Sequence, residues 1–228
     1  MKHILLLTLF VLTSIASFSQ VAKPDSVHVE YWRNGIRKLF TTYYNYTDKD
    51  KPDSVIVEYY EDGQYDVMPY KNGKIDGIEV LYFKSGKKHI ERPYINGKIN
   101  GIIIGYYESG KIECEQPCRD GITDGKVKHY YENGMLKSVS EYVHGKYDGK
   151  QIFYYENGKI DTEIPYKNDK WNGLLIHFFE NGKKHWEGTW VEGKQDGMEI
   201  FYFESGRVQR ITQYSMGSKI SEKEYEDK

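Results

Sequence analysis

The chain has no excess of charge of either sign: 32 Lys and Arg stand against 34 Asp and Glu, a formal −2 over 228 residues. That balance excludes a basic nucleic-acid grip, which needs clustered positive charge. Aliphatic residues are sparse and proline is limited to 6. Long helical periodicity is missing, and no second long apolar run follows the first eighteen residues. What is present instead is 15% aromatic residues, 22 of them tyrosine, and 22 glycines. A disordered chain is poor in aromatics, so whole-chain disorder is excluded. Many turns, many amphipathic rings and few aliphatics point to short strands in a thin sheet with little deep core.

The N-terminus reads as an address label. Lys2 opens it, Ile4–Leu12 is almost unbroken apolar sequence, and Ser14–Gln20 turns small and polar. This is the pattern of a secretory signal peptide over residues 1–20, too short for a stable membrane span. No cysteine sits where a lipoprotein signal needs one. Cleavage would remove Lys2 and no acid, taking the formal charge from −2 to −3. The expectation is an exported protein, periplasmic, envelope-associated or secreted, with no integral span after cleavage.

The remainder is a repeat of 24 residues. Tyr106-Tyr107-Glu108-Ser109-Gly110 recurs as Tyr130–Gly134, Tyr154–Gly158 and Phe178–Gly182, and looser copies begin at Tyr82 and Tyr202. Gly77, Gly101, Gly125, Gly149, Gly173 and Gly197 form a second column, each after Asp or Asn. A third column holds Tyr70, Tyr94, Cys118, Tyr142, Tyr166, Trp190 and Tyr214. The copies at Tyr31 and Tyr59 are 28 apart, which implies an insertion around residues 41–53. Each unit reads as two strands and two turns. The Asn-Gly or Ser-Gly after the paired aromatics is taken as the tight turn, and Asn-Gly-Lys-x-Asp-Gly as a wider one.

The fold expected is all-β: an elongated, single-layer antiparallel meander of about seven or eight hairpins over residues 21–220, with a polar tail at 221–228. Because side chains alternate with period two, Val80, Ile104, Lys128, Ile152, Ile176 and Ile200 share a face with Tyr82, Tyr106, Tyr130, Tyr154, Phe178 and Tyr202. Phe83, Tyr107, Tyr131, Tyr155, Phe179 and Phe203 then point to the other face. With strands about 4.8 Å apart, seven units would span about 70 Å.

The unit Tyr-Tyr-Glu-Asn-Gly-Lys with its distal Gly-Lys-x-Asp-Gly resembles the MORN repeat variant of bacterial YwqK-type antitoxin-like proteins, over roughly residues 28–220. The resemblance implies an interaction scaffold without shared catalytic residues, an antitoxin or immunity role included.

Catalytic and metal chemistry find little support. Cys114 and Cys118 are about 13 Å apart if their strand is extended, beyond disulfide reach. Two packed thiols are therefore expected; a bend at Pro117 is what a Cys114–Cys118 bridge would need. His129 and His177 share one repeat column and read as a structural position. No spacing announces a metal site, a carboxylate pair for glycoside hydrolysis, a phosphate loop or a nucleophile elbow, and no cofactor is expected. Pro69, Pro93, Pro117 and Pro165 mark a repeated bulge or an open edge, the latter offering a groove for a partner strand or polymer.

The expected function is binding without catalysis: a protein-interaction scaffold in the cell envelope, presenting Tyr106, Tyr130, Tyr154, Phe178 and Tyr202. The alternative is a peptidoglycan or carbohydrate binder that stacks sugars on Trp186 and Trp190, which share a face if their strand is regular.

Overall fold

The computed structural model describes residues 26–31, 37–43 and 54–227. The leader expected at 1–20 lies outside them. So does most of the insertion expected at 41–53, whose first residues end the strand Arg37–Tyr43. The described residues form one open antiparallel sheet without helices, and strands pair with their neighbours along the chain. Twenty-one strand segments are present, four of them two-residue stubs. The seventeen long strands make the expected series of hairpins, about 80 Å of sheet measured along its path.

Directly opposed residues in antiparallel strands lie on one face. One row on what is here called the front face crosses fifteen strands without a break: Val57, Val67, Val80, Glu91, Ile104, Glu115, Lys128, Val139, Ile152, Glu163, Ile176, Glu187, Ile200, Ile211 and Lys223. The expected aliphatic column is therefore interleaved with glutamates from four return strands, Glu91, Glu115, Glu163 and Glu187, and with Val67, Val139 and Ile211 from the others. On the back face the parallel row runs Ile90, Gly105, Cys114, His129, Ser138, Phe153, Thr162, His177, Trp186, Phe201 and Arg210.

The two turns have the reverse of the widths expected from the sequence. After the paired aromatics, Phe83 N–H donates to Lys87 O at 2.8 Å and Gly86 N–H to Phe83 O at 2.8 Å, closing a three-residue loop. The Asn-Gly turn holds only two residues between Ile95 and Lys98, and Asn96 and Gly97 have φ of 52° and 81°. Positive φ at both positions is the requirement of a type I′ hairpin, which is why Asn-Gly recurs there. Residue type signals a turn in both places, while the number of residues inside each is decided by cross-strand register.

The proline column lies at interior bulges, so the open-edge reading does not hold. Strand Lys88–Ile95 is paired on both sides. Beside its Pro93 the ladder breaks, Pro93 O accepts Asn100 N–H at 2.9 Å, and Gly101 follows with φ 131°. A Cβ on Gly101 would stand 2.8 Å from Pro93 Cγ, and the same crowding recurs at Gly77 with Pro69 and Gly173 with Pro165. At Gly77, Gly101, Gly125 and Gly173 the Asp/Asn-Gly column thus reflects a backbone that must pass close to a proline ring, while Glu141 and Thr189 take the proline's place beside Gly149 and Gly197.

Consecutive units are tied by recurring bonds. Tyr107, Tyr131 and Tyr155 donate their hydroxyls to the carbonyls of Tyr130, Tyr154 and Phe178, at 2.6, 2.6 and 2.5 Å. Lys87, Lys111, Lys159 and Lys183 reach forward to carbonyls in the next unit's loop. Gly97 N–H leans back on Ile75 O at 2.8 Å, and Gly121, Gly145, Gly193 and Gly217 repeat this.

Burial is thin, as the composition requires. Val57, Val67 and Tyr82 form the buried cluster on the front face, packed by Val55, Tyr59, Tyr65 and Val80. Tyr65 stacks on Tyr82 at 4.7 Å between centroids. Each fully covered side chain of this kind contributes about 1.5–3 kcal/mol. The back face buries Val127, Leu175, Ser140 and Thr212 in its middle row. At the C-terminal end, residues 221–224 are not a separate tail: they complete the exposed edge strand Ser218–Glu224, paired with Val208–Ser215. Its alternating Lys and Glu are what a sheet edge carries to discourage further pairing.

Candidate binding surfaces

The tyrosine column expected to bind a partner is largely engaged within the sheet. Tyr106, Tyr130 and Tyr202 donate their hydroxyls to Glu91, Glu115 and Glu187 at 2.5, 3.1 and 2.6 Å, each fifteen residues earlier. Lysines complete the carboxylates: Lys88 on Glu91, Lys128 on Glu115 and Lys184 on Glu187. Burial by itself pushes the Glu91 and Glu187 carboxyls up, but the lysine and tyrosine bonds outweigh it and hold both below the usual value. Burial first, then the bond to Glu187, pushes the Tyr202 hydroxyl up to about 12. The two exceptions are consistent with this scheme. Tyr154 meets Val139 where the others meet glutamate, and Phe178 has no hydroxyl for Glu163, which takes Lys150 at 3.1 Å instead. All five rings are half-buried.

What the front face does offer to solvent lies two residues before the aliphatic row. Ile78, Ile102, Leu174 and Met198 are 56%, 53%, 47% and 54% exposed. They occupy one repeat column, interrupted by Lys126 and Lys150. Nothing in the 24-residue pattern distinguished this column, because four of its six members look like ordinary strand aliphatics.

Trp186 and Trp190 lie on the back face, opposite to the tyrosines, so the expected binding residues do not form one surface. The two tryptophans do share a face, with centroids 6.0 Å apart and rings edge to face. Trp190 is buried at 9% exposure, with Trp171 against it at 5.5 Å. Its ring lies over Gly188, where a Cβ would come within 2.8 Å. Trp186 remains half-buried between His177 and Phe201. Further along, Phe201, Phe203, Gln209, Arg210, Glu224 and Tyr225 line an open cavity of about 310 Å³, with the Arg210 guanidinium 4.1 Å over the Phe201 ring.

The back face also brings together residues that column-by-column reading kept apart. His177 and His185 approach through Nδ1 and Nδ1 at 2.9 Å, and His177 Nε2 lies 3.1 Å from Asp161. Phe179 packs on His185 at 4.3 Å. Burial, and secondarily the charge of His177, hold His185 below its ordinary value, favouring neutral imidazole. The signal was in the sequence as offsets: an acid sixteen residues before, and a second histidine eight after, place all three on adjacent strands. Among the described residues no three His, Cys, Asp or Glu side chains are grouped so as to hold a metal ion.

Cys114 and Cys118 are free thiols on the back face. Cys114 fills the space above Gly105, where a Cβ would meet its sulfur at 2.7 Å, and burial pushes its thiol up. Cys118 is buried in the aromatic column. Among the described residues no helix is long and apolar enough to cross a membrane.

Residues 99–117, 123–144 and 147–168 match the family model described as MORN repeat variant. They occupy the centre of the array, and the columns that define them continue through the units on either side. A search of curated proteins finds no match to the chain. The match and the 24-residue columns together make this a repeat protein.

Proposed function

We propose that this protein is a non-catalytic scaffold, exported to the cell envelope, that holds a protein partner against the front face of its repeat array. The observation that carries the reading is the column Ile78, Ile102, Leu174 and Met198, about half exposed on a sheet whose neighbouring polar groups are already bonded internally. Aliphatic contacts at fixed intervals on a preorganised surface give a partner buried area at little ordering cost. Neutralising a toxin domain is one form such holding would take, as the resemblance to antitoxin-like proteins implies. Export rests on the leader pattern at residues 1–20.

The test compares capture from envelope extract by the full chain with capture by Ile102→Asp and Leu174→Asp, both checked for native circular dichroism. A stoichiometric protein that binds the parent and is lost from both variants supports the proposal. Capture unchanged in both sinks it. A second reading, glycan binding, is favoured by the half-buried Trp186 beside Phe201 and the aromatic cavity beyond it. Co-sedimentation with peptidoglycan that is lost in Trp186→Ala would select it over the scaffold.

A further inference from the structure

We infer that His177 and His185 form a two-imidazole site for a late first-row divalent transition ion, with Asp161 orienting His177 from behind. Three strands supply the parts: Ile160–Lys167 carries Asp161, Gly173–Phe178 carries His177 and Lys184–Val191 carries His185. Thr162 is opposed to His177 and His177 to Trp186, so Asp161, His177 and His185 each lie at or beside one cross-strand row.

The geometry assigns the ring nitrogens. Asp161 at 3.1 Å accepts the proton of His177 Nε2, which leaves the Nδ1 lone pair directed at His185. The two Nδ1 atoms are 2.9 Å apart. Two imidazole nitrogens at about 2.0–2.1 Å from one tetrahedral ion would sit about 3.3 Å apart, so seating an ion opens the pair by only a few tenths of an ångström. A carboxylate on the far nitrogen of a ligating imidazole fixes the tautomer and raises its basicity. Both rings must be neutral to ligate. The two histidines are the protein's whole contribution of ligands, because Asp161 faces the opposite nitrogen; water completes the coordination. Imidazole donors suit Zn²⁺, Ni²⁺ and Cu²⁺, with Cu²⁺ held most tightly.

The repeat sharpens the assignment. Two units earlier the equivalent positions hold Glu113, His129 and Lys137, so a lysine replaces the second imidazole; one unit earlier they hold Lys137, Phe153 and Asp161, and one unit later His185, Phe201 and Gln209. Asp161, His177 and His185 are the unit in which acid and both imidazoles coincide.

The experiment is calorimetric titration of the full chain with Zn²⁺ and with Cu²⁺, beside His177→Gln, His185→Gln, Asp161→Asn and His129→Gln. One saturable site is expected, weakened at least tenfold in either ligand variant and about tenfold in Asp161→Asn. His129→Gln should bind as the parent does. No saturable binding by the parent, or ligand variants that bind like it, overturns the site. Should a ligand variant fail to fold, the parent decides alone: substoichiometric Cu²⁺ must broaden the imidazole resonances of His177 and His185 first. Earlier broadening of any other histidine overturns the assignment.

Discussion

Tyr202 donates its hydroxyl to Glu187 at 2.6 Å, across one strand pair and one step along the diagonal. The same diagonal joins Tyr106 to Glu91 and Tyr130 to Glu115, so a chemistry expected to serve a partner is spent on the sheet itself. Bonds to a charged acceptor contribute about 1.5–3 kcal/mol each when shielded, and less where water competes. For Tyr202→Phe a loss of about 1 kcal/mol is expected, read as a lowered urea midpoint at constant slope. Glu187→Gln should cost more, because Lys184 then loses its ion pair as well. A Tyr202→Phe midpoint equal to the parent's would show the bond to be worth nothing.

Alkaline pH gives the same bond a signature. A tyrosine raised to about 12 in the fold and near 10 in the unfolded chain stabilises the fold fully below pH 10. That contribution is lost as pH rises through 12. Absorbance at 295 nm should therefore show late ionisation of the tyrosines bonded to glutamate, with stability falling over the same interval. In Tyr202→Phe the late amplitude should shrink by one tyrosine.

The imidazole pair works in the opposite direction. His185 is held below its ordinary value, so its contribution is present above about pH 6.5 and is lost as pH falls through the lowered folded value. In metal-free buffer the parent should lose stability between pH 7 and 5 more steeply than His185→Gln does. Parallel pH curves for the two would refute this.

Glycine positions that share a positive φ should differ sharply in cost. Gly73→Ala meets nothing within 4 Å and carries only the strain of φ 73°, about 1 kcal/mol. Gly101→Ala combines φ 131° with the Pro93 ring at 2.8 Å, and about 3 kcal/mol is expected. Chemical denaturation of the two variants side by side checks the ranking, and equal losses would contradict it.

Trp190 and Trp186 should separate in the same way. Trp190→Ala empties a buried position over Gly188 and is expected to cost about 3–5 kcal/mol. Trp186→Ala, half-buried, should cost less than half as much, which is measurable by thermal unfolding.

Strand positions and faces were legible because each column repeats its chemistry: Val80, Ile104 and Ile176 announce one face wherever they recur. The breaks were not legible in the same way. Turn width depends on how Ile95 and Lys98 come into register, and two Gly-containing turns look alike until that pairing is known. Pro93 was ambiguous because a missing N–H fits a bulge as well as an edge; pairing on both sides of its strand decides it. The candidate site was hardest. Tyr106 meets Glu91 at an offset of fifteen and His177 meets His185 at eight, neither a multiple of the period. A search within columns passes over contacts that run diagonally between them.

The ties between units carry one more consequence. Tyr107, Tyr131 and Tyr155 each reach 23 residues forward, and Gly97, Gly121 and Gly145 each reach 22 back. Such bonds depend on relative position along the chain and not on which unit makes them. A whole 24-residue cassette can therefore be spliced in or out and the cut ends will find equivalent partners, so the length of the array can drift by duplication while its chemistry stays in phase.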